Sequence, residues 1–179
     1  MQSSVNEQAN DDTMRDVIAQ LLPELRAAAR MLTRSRAEAD DLVQEAVLRM
    51  LRSVDGFVPP PGMEDDPRAA MRPWALTVLR NTFRENWRRA KREREHREAS
   101  PPDMPPPASE QETAHEIRDL ARALSRLSPA LREALVLVAA RGLSHEEAAA
   151  ICNVPVGTMK ARVSRARRAL SGDLAPVMS

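Results

Sequence analysis

The chain has 179 residues, enough for one ordinary domain or two small ones, and its 2% aromatic content with no Tyr leaves little to fill the core of a β-sandwich. The apolar 42% is mostly Ala, Leu, Val and Met, good helix formers, so composition alone reads as all-α. A net charge of +1 excludes a uniformly basic protein but hides segregation: residues 72–97 hold 9 basic and 3 acidic groups and residues 156–179 hold 5 and 1, whereas residues 1–71 hold 8 and 13 and residues 98–155 hold 5 and 9.

Two local positive fields on acidic backgrounds suit two separate contacts with a polyanion, because each Lys or Arg that neutralises a phosphate releases condensed counterions. The opening MQSSVNEQANDD lacks the apolar core of a secretory signal, and no stretch approaches the roughly 18 apolar residues of a membrane span, so a cytoplasmic protein is expected. The single cysteine, Cys152, cannot form an internal disulfide and stands beside Ile151, which favours a packing role over a redox one.

In chain order, residues 1–12 read as a disordered tail. From Met14 to Leu32 an amphipathic helix places Val17, Ile18, Leu21, Leu25, Ala28, Ala29 and Leu32 near one face, with Pro23 expected to break or restart it. Ser35 and Glu38 have capping-box spacing and open a second helix whose apolar repeat is Leu42, Val43, Ala46, Val47, Met50 and Leu51. Residues 54–66 read as loop, Asp66-Pro67 as a helix entry, and Pro73 as the start of a long helix proper. That helix carries Trp74, Val78, Leu79 and Phe83 and then becomes the basic run WRRAKREREHRE. Residues 99–112 hold five prolines in seven positions, which removes backbone donors and predicts an extended, flexible tether.

Beyond the tether, Ile117, Leu120, Leu124 and Leu127 mark a helix, Ser128-Pro129 starts another, and Arg141-Gly142 ends it. Ser144 and Glu147 form a second capping-box pair, and Asn153-Val154-Pro155 turns the chain into a last helix over 156–170. Residues 144–170 therefore have the layout of a helix-turn-helix, with Ala148, Ala149 and Ala150 permitting a close crossing. At 100° per residue, Met159, Val163, Ala166 and Leu170 share one stripe while Ala161, Ser164, Arg165 and Arg168 point away from it, flanked by Lys160 and Arg162. A basic face with small residues suits the major groove, where Arg pairs bidentately with guanine. A merely solvated helix would mix charge signs in i,i+4 pairs, and no acidic residue lies between 156 and 170.

The segment GLSHEEAAAICNVPVGTMKARVSRARRAL resembles the fourth conserved region of extracytoplasmic-function (ECF) sigma factors of RNA polymerase, whose pattern is GLS-x-x-E-[IVA]-A, a turn, then GTVKSR-x-x-RAR. LLPELRAAARMLTRSRAEADDLVQEAVLRML is similar to that family's first helical pair with its DLVQE signature, and RPWALTVLRNTFRENWRRAKRE to the helix usually reading WLF-x-I-x-RN. The resemblance implies an all-α fold of two small helical domains, a sigma-2 bundle over 13–98 and a sigma-4 helix-turn-helix over 113–172, joined by the Pro-rich linker at 99–112 and followed by a tail at 173–179.

It also implies roles. Asp41, Gln44, Glu45 and Arg49 would dock on the clamp of the polymerase large subunit, with the flap as a further polymerase contact. Asn81, Arg84, Trp87, Arg88, Arg89 and Lys91 would lie near the minus-ten element and its melted strand. Lys160, Ala161, Ser164 and Arg165 would read the minus-thirty-five element, with Thr158, Arg162 and Arg168 nearer phosphates. Trp87 could stack on an unpaired base or pack on its own helix, and Trp74 is assigned to the core. Met159 and Ala161 replace the usual Val and Ser. The compact DLVQE segment and the VPVGTMKARVSRARRAL ending look most like the EcfG-type general-stress-response group, which implies restraint by a small NepR-like anti-sigma protein.

Two rivals keep the helices but change the job: a sigma mimic that only sequesters an anti-sigma protein, and an ordinary helix-turn-helix regulator. A mimic needs no DNA contacts, yet both basic helices are intact; a regulator leaves the DLVQE half unexplained. An enzyme, a metal site and a cofactor are not expected, since His96, His115 and His145 are scattered and no phosphate loop or zinc-like spacing occurs.

Overall fold

The computed structural model describes residues 2–97 and 123–174, with side chains over 14–96 and 123–171. The expected linker at 99–112, the start of the following helix with His115, Ile117 and Leu120, and residues 175–179 lie outside the described residues. Among the described residues every regular element is helical.

Helix α1 runs Gln2–Leu32, so the backbone is helical through the segment expected to be a disordered tail; Gln, Glu and Ala there are helix-compatible and no Gly or Pro interrupts them. Pro23 sits inside α1 without ending it. It lies on the solvent side of the helix, where water can satisfy the carbonyl it leaves free. Leu21, Leu25, Ala28 and Ala29 on the opposite face are buried. Thr33 closes α1 by donating its hydroxyl to Ala29 O at 2.8 Å.

Helix α2, Arg36–Ser53, starts at Ser35, whose Oγ accepts the Glu38 N–H at 3.1 Å. The box is only half formed as spaced, because the Glu38 carboxylate accepts from Arg34 N rather than from Ser35. Helix α3, Pro67–Arg97, is entered through Asp66, whose carboxylate accepts from Ala69 N at 2.9 Å. Pro73 was expected to start this helix and is instead inside it. The Asp66–Pro67 entry is the stronger initiator, and it adds a first turn that carries buried Ala70 and Met71. Helices α1, α2 and α3 pack on one another around Leu21, Leu25, Met50, Met71, Leu76 and Leu79.

The second half opens with a helical turn at 123–126 and continues as α4, Pro129–Leu135, extended by a π-helical stretch Val136–Ala140. Gly142 stops it at φ +68°, a conformation that disfavours a side chain. Helix α5, His145–Cys152, has a complete capping box: Ser144 Oγ accepts from Glu147 N at 3.1 Å and Glu147 accepts from Ser144 N at 2.7 Å. Asn153, left-handed at φ 49°, ends α5, and α6 follows over Val156–Leu174, running past the expected boundary at 172.

The two halves do not stand apart. Helix α3 packs on α5, and α1 on both α4 and the π-helical stretch. Buried apolar residues of both halves form one continuous cluster, from Leu32 and Leu79 to Val136, Ile151 and Met159.

Candidate nucleic-acid interface

Helix α6 is fixed by the stripe its sequence defines: Met159, Val163 and Ala166 are buried and Leu170 is half-buried. The opposite face is open. Lys160, Ala161, Ser164, Arg165 and Arg168 are all exposed, and Thr158 is half-buried in the first turn. Arg165 Nε returns only to its own helix, at Ala161 O 3.3 Å away. Arg162 differs: it is half-buried, and its Nη1 is buried without a hydrogen-bond partner in the protein. The close crossing of α5 and α6 is carried by Ala148 and Ala149, both buried, while Ala150 is exposed.

The second basic surface is the C-terminal half of α3. Asn81, Arg88, Arg89 and Lys91 are exposed, whereas Arg84 and Trp87 are half-buried. Lys91 Nζ lies 5.8 Å from the Trp87 ring centroid, so one face of the indole already carries a cation. Trp74 is also only half-buried, meeting Phe57 with ring centroids 5.3 Å apart. Phe83 is buried and anchors the helix just before the cationic run.

The polymerase-docking candidates split. Asp41 and Gln44 are exposed on α2. Glu45 and Arg49 turn toward α3 instead: Arg49 donates to Glu85 and Glu45, both at 2.6 Å, and Glu45 accepts from Asn86 at 2.9 Å. The Asn86 hydrogen bond, aided by Arg49, holds the Glu45 carboxyl below its ordinary range despite its desolvation. These side chains line an open cleft of about 330 Å³ together with Arg88, Arg89 and Arg92. Leu48, which periodicity did not single out, is 54% exposed and lies one helical turn from Gln44, extending the free face of α2.

Two further residues escaped the sequence reading. Arg132 is buried and donates to Leu124 O (2.7 Å), Ser125 O (2.6 Å) and Leu127 O in its own half, and to Leu32 O (2.6 Å) at the end of α1. A guanidinium thus closes two chain reversals whose carbonyls would otherwise be orphaned. Its neighbour Glu133 reaches α3, with Arg80 Nε and Arg84 Nε each at 3.2 Å. Both charged residues sit in an otherwise apolar stretch and would be assigned to solvent by pattern alone. Cys152 is buried nearby, and its thiol is pushed up by burial and then by the Glu133 charge.

The family model for Sigma-70 region 2 matches residues 17–93 and that for Sigma-70, region 4 matches residues 117–170. The ECF RNA polymerase sigma factor EcfG of Rhodopseudomonas palustris is 43% identical over 91% of this chain and 86% of its own. The chain belongs to the ECF sigma factors.

Among solved structures, the sigma factor is similar to RpoE in its complex with the anti-sigma factor NepR from Bartonella quintana, at 34% identity and TM-score 0.71, covering 90% of this chain and 96% of that one. It is also similar to CnrH in complex with the cytosolic domain of CnrY, at 26% identity and TM-score 0.65, covering 98% and 96%. Membership makes it a promoter-directing subunit of RNA polymerase, from a family that acts in initiation without catalysis of its own. The two matched regions carry the two basic surfaces. No helix among the described residues is long and apolar enough to cross a membrane.

Proposed function

We propose that this sigma factor directs polymerase to promoters of the general-stress-response kind, reading the minus-thirty-five element with α6 and holding the minus-ten element with α3. Lys160, Ala161, Ser164 and Arg165 meet base edges, and Thr158 and Arg168 meet phosphates, which set position without carrying sequence. Arg162, half-buried beside them, is the third phosphate contact. Asn81, Arg84, Trp87, Arg88, Arg89 and Lys91 track the melted strand. Asp41, Gln44 and Leu48 form the free face for the polymerase clamp, while Glu45 and Arg49 brace α2 against α3 behind it.

The observation that carries this reading is the exposed cationic face of α6, backed by the buried Met159, Val163 and Ala166. The EcfG likeness supports the stress-response assignment, a cytoplasmic site of action and restraint by a small anti-sigma protein such as the NepR bound to RpoE.

Reconstitution tests it. The chain with core polymerase is expected to start transcripts at a stress-type promoter, and the chain alone is expected to start none. Replacing Asp41 and Gln44 by Ala should weaken capture of core polymerase while promoter preference is kept. Start sites indifferent to the presence of the chain would overturn the proposal.

A further inference from the structure

Among the described side chains of α3, Phe83 is the last one buried, and every residue from Arg88 to His96 is exposed. Trp87 stands between them, a half-buried indole one turn past the end of the apolar core. At 100° per residue Arg80, Arg84, Trp87 and Lys91 fall within about 60° of one another, so the ring sits in a cationic stripe along one side of the helix. Lys91 Nζ is 5.8 Å from the ring centroid, and the Lys91 side chain is more than half exposed. The ring face under that ammonium is therefore one that groups arriving from solvent can reach.

We propose that this face of Trp87 is a stacking platform for one unpaired nucleobase, and that Lys91 moves from the ring to the phosphate of the stacked nucleotide. The inference rests on the assignment of α3 to the melted minus-ten strand and gives the ring a ligand within it, a base of any sequence held by its flat face. Every base has such a face, so the contact carries no sequence. It does carry strandedness. A base inside a duplex has both faces covered by its neighbours, and only an opened one has a face to give.

The surroundings of the ring favour a nucleobase over a protein side chain. A protein partner would bury Trp87 at the centre of an apolar patch, yet residues 84–97 hold only one other apolar side chain, Ala90. Cations surround the ring instead: over residues 84–92, Arg84, Arg88, Arg89, Lys91 and Arg92 stand against Glu85 alone. An aromatic ring set among cations is the combination that holds single strands. Exchange at the ring face runs in the same direction, because base stacking on an aromatic is stronger than an exposed cation–π contact. Lys91 is able to move on its flexible stem, since Glu95, 3.5 Å away, is an exposed i,i+4 partner that holds it weakly.

The test uses the holoenzyme, the full chain with core polymerase, on a forked minus-ten fragment in which the fluorescent base analogue 2-aminopurine replaces one base of the unpaired strand, position by position. With the wild-type chain one position is expected to be quenched on binding. Trp87→Leu keeps apolar bulk and removes the π face. It is expected to brighten that position and to weaken binding of the forked fragment about tenfold, or about 1.4 kcal/mol. Binding of the fully paired fragment should not change. An abasic site at the same position should erase the difference between wild type and Trp87→Leu, a difference that a mere packing role for the ring would leave intact.

Fluorescence that distinguishes wild type from Trp87→Leu at no position would overturn the platform, as would equal weakening on forked and paired fragments. Core capture and circular dichroism melting establish that the variant is folded; if it is not, Trp87→Met, which fills more of the space of the ring, is read in the same way. Failure of the underlying assignment shows separately, as forked-fragment binding indifferent to replacement of Arg88 and Arg89 by Ala.

Discussion

The two basic helices of this sigma factor are built for one polymer yet stand in different states. On α6 the outward cations Lys160, Arg165 and Arg168 are exposed, and residues 156–170 of that helix contain no acidic residue. On α3 the cations are interleaved with carboxylates: Arg80 and Arg84 with Glu133, Lys91 with Glu95, and Arg89 within electrostatic reach of Glu45. A surface that reads base pairs of intact duplex can be finished in advance. On α3, proposed above to hold the melted strand, intramolecular carboxylates neutralise part of the positive field in the free chain. Nucleic acid binds through local positive field, so this difference should appear as unequal readiness of the free chain for the two elements.

The largest expected effect comes from removing the support of the ready surface. Met159 is 0% exposed beneath the recognition face, and Met159→Ala should cost about 2–5 kcal/mol in denaturant unfolding. A loss below ~1 kcal/mol would mean that α6 is held by something other than its apolar stripe. Next, Lys160→Ala with Arg165→Ala should lower output from a matched promoter about 30-fold, taking each base contact at the low end of the ~1–3 kcal/mol for a good pair. Thermal melting should hardly move, since both side chains are exposed. Equal output from wild type and variant would remove α6 from readout.

The smallest effect is a contrast in pH response. Glu147 is held below its ordinary 4.5, chiefly by the Ser144 backbone N–H, and its folded value lies below its unfolded one. Its contribution is present above the unfolded value and lost as pH falls through the folded value, so amides in the first turn of α5 should lose protection relative to their intrinsic exchange rates in acid. Glu133 is shifted up, first by burial, against the opposing pull of Arg84, Arg80 and Arg162. The stability it lends to the closed chain is present below its unfolded value and lost as pH rises through the folded value. Acidification through the carboxylate range should therefore loosen the α5 cap without weakening the packing around Glu133. Amide protection in the first turn of α5 and around Glu133, followed in one titration, checks both signs.

Much of this was legible in the sequence because local chemistry decides it. Ser144 with Glu147, and Asp66 before Pro67, place helix starts that form as read, and the 100° arithmetic of α6 sorts buried Met159 and Val163 from exposed Ser164 and Arg165. The prolines misled because their cost depends on which side of the helix loses its hydrogen bond: Pro23 is on the solvent side, and Pro73 follows a turn already capped by Asp66.

Direction was also hidden on α2, where Glu45 and Arg49 look solvated by pattern but find Glu85 and Asn86 some 40 residues away, the Asn86 bond spanning 41 positions. Docking of one half on the other was the least legible of all. It rests on Arg72, Arg132 and Glu133, charged residues that periodicity sends to the surface and whose partners lie up to 100 positions distant.

The most direct test of the account is a footprint of the chain on a responsive promoter with core polymerase. Two protected stretches about 25 base pairs apart are expected, with the upstream one lost and the downstream one kept when Lys160 and Arg165 are replaced by Ala. A single continuous footprint, or an upstream stretch untouched by that double replacement, would contradict it.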